Sequence, residues 1–367
     1  MKKLDWYILK KFLSTFFFSI FLFTVVAVVI DVSEKADDFV KSHLPLQKII
    51  TDYYFGFIPH IIALLFPLFV FIAVIFFTSK MAGKSEVIAI LASGTSFNRW
   101  LRPYYIGGLF LSVLLWFASN YVVPKANKIR GAFEAKYFDP NSSYENLIKS
   151  RFGSGSDFYT KTDSFTYAGV YNYDTTLKRG GPVFLHTVKQ NRLISNIRAD
   201  NFSWDSAHRK WKFQNLVKRD LGGGNETIKM QDSLLINLNF TPADVKKDKY
   251  MKDRLSSDEL SAFIKMEELR GSEGLSELKV EQGRRNATPV TVFLLTVIGA
   301  VIAGRKVRGG SGVHLAIGFI IAALFILADK FSTIFSTKGN LSPALAVWIP
   351  NIVFVFVVVY LYRKAPK

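Results

Sequence analysis

The chain contains no cysteine, which rules out disulfides, thiolate catalysis and Cys-ligated zinc. Histidine is scarce, and His186 and His208 lack the clustered spacing of metal ligands, so no metal site is expected. Nucleotide-binding motifs are missing too. Gly83-Lys-Ser85 matches only the tail of a phosphate-binding loop: Thr78 stands where the first glycine belongs, and an apolar span replaces the required strand. Any ATP and Mg2+ chemistry therefore belongs to a partner, and no cofactor is expected in this chain. Acidic residues are also in deficit, 29 against 47 Lys and Arg, for a net charge of +18. That excess does not indicate nucleic acid. Many of the bases flank apolar tracts, where anionic headgroups and the positive-inside rule account for them.

Charge itself is absent or nearly so from six long stretches: Phe12–Ile30, Tyr53–Ser79, Pro103–Val123, Asn286–Gly304, Gly309–Ala328 and Leu341–Tyr362. Each is long enough to cross a hydrocarbon core of roughly 30 Å at about 1.5 Å per residue. The chain therefore reads as a polytopic α-helical membrane protein with six spans. The basic start, Met1–Lys11, runs into the first tract without a small-residue cleavage site, so it reads as an uncleaved helix rather than a signal peptide.

Bases alternate between the flanks. Lys2, Lys3, Lys10, Lys11, Lys80, Lys84, Arg99, Arg102, Arg305, Lys306, Arg308, Arg363, Lys364 and Lys367 fall on one side. On the other, Lys35, Lys41 and Lys48 are outnumbered by Asp31, Glu34, Asp37, Asp38 and Asp52, with Lys330 and Lys338 in the last loop. This places both termini in the cytoplasm and the 124–285 insertion outside.

The insertion alternates apolar and polar residues over Ser164–Tyr173, Pro182–Lys189, Leu193–Phe202 and Ser233–Phe240, with a turn at Asp205–His208 and a loop at Gly222–Gly224. It predicts an extracytoplasmic all-β domain of sandwich or jelly-roll type between the third and fourth spans. The domain plan is 1–123 for spans one to three, 124–255 for the β domain, 256–285 for a helical connector (Ser257–Met266 has a helical period and a cap), and 286–367 for spans four to six.

One short cytoplasmic segment stands out. Ser85 is placed to cap a helix, Glu86 suits its first turn, Val87, Ile88 and Leu91 form an apolar stripe, and Gly94 supplies the stop. The reading is an amphipathic helix over 85–93, either interfacial or gripped by a cytoplasmic motor. His60, His314 and Asp329 are the ionisable groups in or near the spans, but they fall at different depths and are not expected to meet as an acid–base pair. An enzyme acting on envelope lipids is the weaker alternative for that reason. Pro59, Pro67, Pro289 and Pro350 allow kinks, and Gly107, Gly108, Gly299, Gly304 and Gly318 allow close helix packing.

The order of parts resembles the lipopolysaccharide-export permease family of LptF/LptG type. Leu4-Asp-Trp-Tyr-Ile8 resembles its opening motif, and Phe66-Pro67 with Ser85-Glu86 and Ala92-Ser-Gly94 resembles its second span and coupling helix. Glu281, Arg284, Arg285 and Pro289 resemble the start of its fourth span, and Gly318 with Asp329 its fifth. The opening motif and the Asp329 region lean toward the LptG-like branch.

The resemblance implies an inner-membrane subunit of a Gram-negative bacterium, working as an ABC-transporter permease. Its partners would be an LptF-like paralogue, an LptB-like ATPase dimer, LptC/LptA-like periplasmic jelly-roll proteins and lipopolysaccharide. It implies that Ser85, Glu86, Val87, Leu91 and Gly94 couple to the ATPase, and that spans one and five form a lateral lipid gate carrying Val28, Asp31, Lys35, Lys41, Gly318 and Asp329. Relatives often carry a base near the outer end of the first span; here that turn is Val28-Val29, followed by Asp31, and the nearest bases are Lys35 and Lys41. The alternative is a mechanical relay that transmits ATPase motion to the outer domain without carrying lipid.

Overall fold

A computed structural model describes residues 3–137, 156–174, 177–221, 226–242, 251–270, 274–305 and 311–364. Lys2, Lys306, Arg308, Lys367 and the Gly222–Gly224 loop lie outside the described residues. The chain forms two compact units, one holding 1–134, 252–261 and 276–367, the other 135–251 and 262–275.

Six helices in the first unit are long and apolar enough to cross a membrane: Lys3–Glu34, Leu46–Gly83, Phe97–Glu134, Leu275–Ala303, Gly312–Thr337 and Pro343–Arg363, here spans one to six. All six coincide with the charge-poor tracts. Most run beyond them, because a helix needs no apolar side chains once its backbone hydrogen bonds are made. Span three leaves its apolar tract at Val123 and continues helically to Tyr137, so polar sequence between 124 and 137 is still helix rather than sheet. Spans two and three each contain a π-turn, at Ile50–Tyr54 and Ala118–Val122.

The core of the bundle is aromatic and tightly meshed. Span one buries Ile8, Leu9, Phe12, Phe16 and Ile20, a helical stripe that packs with Phe66, Phe69 and Val70 of span two and Trp100, Tyr104 and Leu111 of span three. The stripe closes because Gly107 lets Phe12 approach: a Cβ there would lie 2.7 Å from the Phe12 ring and 2.9 Å from Leu9. Phe12 is fully buried and has no room to retreat. Gly107→Ala is therefore expected to cost about 1–3 kcal/mol as an overpacking change, read as a lower melting temperature in detergent without loss of helicity.

Three contacts gather helix ends at one face of this unit. Asp5 accepts a 2.9 Å hydrogen bond from Arg99 Nη2, the Phe97 and Tyr362 rings meet at 6.1 Å, and Arg305 Nη2 donates to the Lys364 carbonyl. The opposite face holds Asp31, Tyr53 and Glu134. The base-rich flanks Lys80, Lys84, Arg99, Arg102, Arg305 and Arg363 belong with the first face, as alternation required. Asp5 is buried, which gives the opening Leu-Asp motif a physical role: it tethers span one to span three through a charge-assisted hydrogen bond.

The second unit holds the β region. Strands β1 Ser156–Lys161, β2 Thr166–Tyr173, β3 Arg179–Gly180, β4 Val183–Lys189, β5 Arg192–Asp205, β6 Lys210–Asp220 and β7 Thr227–Ile236 form one sheet, ordered β1-β2-β4-β5-β6-β7 with β3 on β5. Every pairing is antiparallel. The all-β region between spans three and four is thus present, and β2, β4 and β5 match the alternating segments. The last strand begins at Thr227 and stops at Ile236, not at Phe240. Phe240 instead folds back as a core residue, its carbonyl accepting from Trp211 Nε1 at 2.8 Å.

Strand β6 escapes an alternation search for a local reason. Trp211 and Phe213 are buried, but the next buried residue is Leu216, because Asn215 adopts φ +50° and swaps the faces. The turn at Asp205–His208 holds: Asp205 caps it and is kept below the usual carboxylate range, chiefly by the His208 ring at 2.8 Å.

The helix Ser257–Arg270 is capped by Ser256 rather than Ser257. Ser256 Oγ accepts from Glu259 N–H at 3.3 Å while Glu259 Oε2 accepts from Ser256 N–H at 2.8 Å, a reciprocal capping box. That backbone donor holds the Glu259 carboxyl below its ordinary range.

Candidate functional site

Two regions of the first unit collect the residues singled out by sequence. The first is the short helix Glu86–Ala92, between spans two and three. Val87 is fully buried, and Ile90 and Leu91 pack half-buried on the same core. The inward stripe is therefore 87, 90 and 91. Ile88, expected in that stripe, is 48 % exposed: one residue is about 100° of helix rotation, so 87 and 88 cannot both point inward.

Ser85 differs as well. It sits at the N-cap with φ +60°, and its side chain makes no cap hydrogen bond, since a capping hydroxyl needs an extended N-cap backbone. Gly94, at φ +83°, stops the helix as expected. The outward face presents Ile88, Ala89 and Ala92, Glu86 stands half-buried at the helix start, and among the described residues no ion pair engages Glu86. A rigid element with an apolar patch and one acid at its start is thus displayed at the Asp5 end.

The second region lies at the opposite end. Asp31 is buried and accepts from the Tyr53 hydroxyl at 3.0 Å and the Tyr54 hydroxyl at 3.2 Å. Lys35 lies 3.4 Å from Asp31 and 3.4 Å from Glu134, which also pairs with Arg130, and donates to the Tyr53 hydroxyl. This network ties span one to spans two and three. Lys35 is thereby committed to internal acids, whereas Lys41 ends the short helix Ala36–Lys41 in an exposed position. Val28 is half-buried one turn before Asp31. Gly318 sits apart, against Ile75 of span two, where a Cβ would come within 2.3 Å of Ile75 Cδ1.

Glu281, Arg284, Arg285 and Asp329 converge on a cavity of about 490 Å³ among spans two to six. Arg284 Nη2 donates to Asp329 at 3.2 Å and to Thr333 Oγ1 at 2.9 Å, joining spans four and five. Arg285 is 5 % exposed; it bonds Glu281 at 3.3 Å, Ser257 Oγ at 3.2 Å and the Lys252 carbonyl at 2.9 Å, fastening the returning chain to span four.

His60 and Asp329 line the same cavity, together with Asn127 and Asp253. Among the described residues no hydrogen bond or ion pair joins His60 to Asp329, whose partner is Arg284. His314 remains separate, buried near the start of span five. The gathered acids include two that are paired with arginines, and among the described residues no cluster has the makings of a metal site.

Spans four and six are clasped beneath this cavity. Asn351 accepts from Thr291 Oγ1 at 2.8 Å and donates to the Ala287 carbonyl at 3.0 Å. These bonds lie beside Pro289 and Pro350 and pair the buried polar side chains of the two spans with each other. No sequence signal pairs Asn351 with Thr291; both are polar residues inside apolar tracts, and only that rarity marks them.

Six membrane-crossing helices with a β region set between the third and fourth define a multi-pass membrane protein. The chain matches the family model described as lipopolysaccharide export system permease LptF/LptG over residues 6–364, and it belongs to that family. The match does not separate an LptF-like from an LptG-like member. No curated protein matches the chain.

Proposed function

We propose that this chain is the membrane subunit of a transporter that draws lipopolysaccharide out of the inner membrane, driven by a separate cytoplasmic ATPase. One observation carries the reading: the helix Glu86–Ala92 is anchored by Val87 in the bundle core while Ile88 faces outward and Glu86 stands half-buried at its start. A motor can push only on something that does not yield, and this helix is fixed between two spans. The Asp5 end then faces the cytoplasm, with both termini, and the β region stands in the periplasm, in keeping with the base-rich flanks. ATP and Mg2+ stay on the ATPase.

Spans one and five supply the lateral gate in this scheme. Each packs on span two and leaves a broad apolar face uncovered, Phe18, Phe21 and Val29 on the first, Phe319, Ile320 and Leu324 on the fifth. A paralogous six-span subunit is the partner that covers them. Strand β7 is a sheet edge with an almost wholly exposed surface, which suits strand addition by a periplasmic jelly-roll protein. Extraction needs an external energy source because each buried methylene holds the lipid by about 0.8 kcal/mol.

The absence of cysteine makes the orientation easy to test. Single cysteines at Lys84 and Ser164 are expected to label in opposite ways with a membrane-impermeant maleimide: Ser164→Cys from the periplasm, Lys84→Cys only after the inner membrane is opened. The reverse pattern would invert the scheme. A lipopolysaccharide photo-crosslink to the faces of spans one or five, once orientation is set, separates a lipid path from a purely mechanical relay.

A further inference from the structure

The cavity among spans two to six is not explained by a gate on the outer faces of spans one and five. Its deep wall is apolar, formed by Leu65, Leu68, Leu295 and Phe325. Water gains little there, since a buried water needs two to four polar partners. At about 490 Å³ the space lies within the range of roughly 300–1,000 Å³ typical of small-molecule sites. Leu64 and Ile326 line it and are also exposed, at 65 % and 47 %, so the cavity reaches the lateral apolar surface of spans two and five. In a membrane that surface meets acyl chains.

The rim is polar and electrically balanced. Asp253, Glu281 and Asp329 face Arg284, Arg285 and Lys330 across the same space. Glu281 pairs with Arg285 and Asp329 with Arg284. A polyanionic headgroup meets no net positive field at such a rim, whereas one that carries both signs does not upset the balance. Asn127 adds a specific feature: it is buried, its amide donates to the Asp253 carbonyl at 2.9 Å, and its Oδ1 lies within reach of the His60 ring without a geometrically complete hydrogen bond. A carbonyl oxygen has a second lone pair, and beside Asp253 an ammonium N–H would satisfy it. Lys330 of the fifth span lies at the same rim as Arg284 of the fourth, and a phosphate would fit at the lysine.

We infer that the cavity holds a zwitterionic glycerophospholipid, one acyl chain against the Leu68–Phe325 wall and its ammonium group at Asn127 and Asp253, as a resident lipid distinct from transported cargo. The inference needs only the membrane-spanning bundle and does not depend on which end faces the cytoplasm. A bound chain there also fills space between spans four, five and six that would otherwise be void.

The test uses the full-length chain in lipid nanodiscs with phosphatidylethanolamine carrying a diazirine in one acyl chain. Crosslinks are expected to map to peptides bearing Leu64–Leu68 and Phe325. Excess unlabelled phosphatidylethanolamine should lower them at least tenfold, and equal amounts of phosphatidylglycerol or lipopolysaccharide less than twofold. Leu68→Trp, which fills the wall, should lower labelling at least fivefold in protein that elutes and melts like the parent. Should that variant fail to fold, the competition series on the parent chain decides alone. Labelling spread evenly over the outer faces, or labelling displaced best by phosphatidylglycerol, would overturn the inference. Displacement by lipopolysaccharide would overturn it too, and would make the cavity a cargo site, leaving the export reading intact.

Discussion

Glu86→Lys is expected to leave the chain folded and inserted while bringing lipopolysaccharide export close to zero. The side chain lies at the start of a helix anchored by Val87 rather than by Glu86 itself, so the bundle loses nothing when the charge is reversed. On the proposed coupling, the ATPase loses a great deal. Removing one member of a buried charge pair at an interface costs about 2–5 kcal/mol, which is a weakening of roughly thirtyfold or more, and reversal adds repulsion. Co-purification of the ATPase should fall by at least that factor, with an unchanged melting curve. Glu86→Gln should show a milder loss. Full export by a folded Glu86→Lys chain would remove the short helix from the mechanism.

The second large effect concerns stability. Arg285→Ala is expected to destabilise the bundle by about 3–5 kcal/mol, because truncation leaves Glu281 without its buried partner and frees the Ser257 and Lys252 groups that Arg285 holds. Thermal melting in detergent reads the loss, and limited proteolysis near residue 255 should reveal the released connector. Adding Glu281→Gln ought to restore part of it, since the uncompensated charge is then gone. If the double variant melts below the parent by the sum of the two single-variant effects, the two residues do not act as a pair.

Much of the fold was legible for one reason: a bilayer forces backbone hydrogen bonds into helices and penalises charge, so spans announce themselves as charge-poor tracts. The β region was legible where burial follows the period-two alternation, as in β2 and β4. It was hidden in β6, where Asn215 turns the strand over. The short helix was visible from Glu86 and Gly94, yet its facing was not, because a seven-residue helix has too few positions for its apolar period to separate Ile88 from Ile90.

Sequence alone determined the number of spans, the side on which bases collect, the β insertion and the lack of thiol chemistry, since these follow from composition along the chain. Tertiary structure decided which charges meet. Asp5 with Arg99, Lys35 with Glu134, and Arg284 with Asp329 are contacts between distant segments. Whether a charge in or near a membrane is a free site or a paired strut depends on the helix packed against it, and that neighbour is chosen by packing.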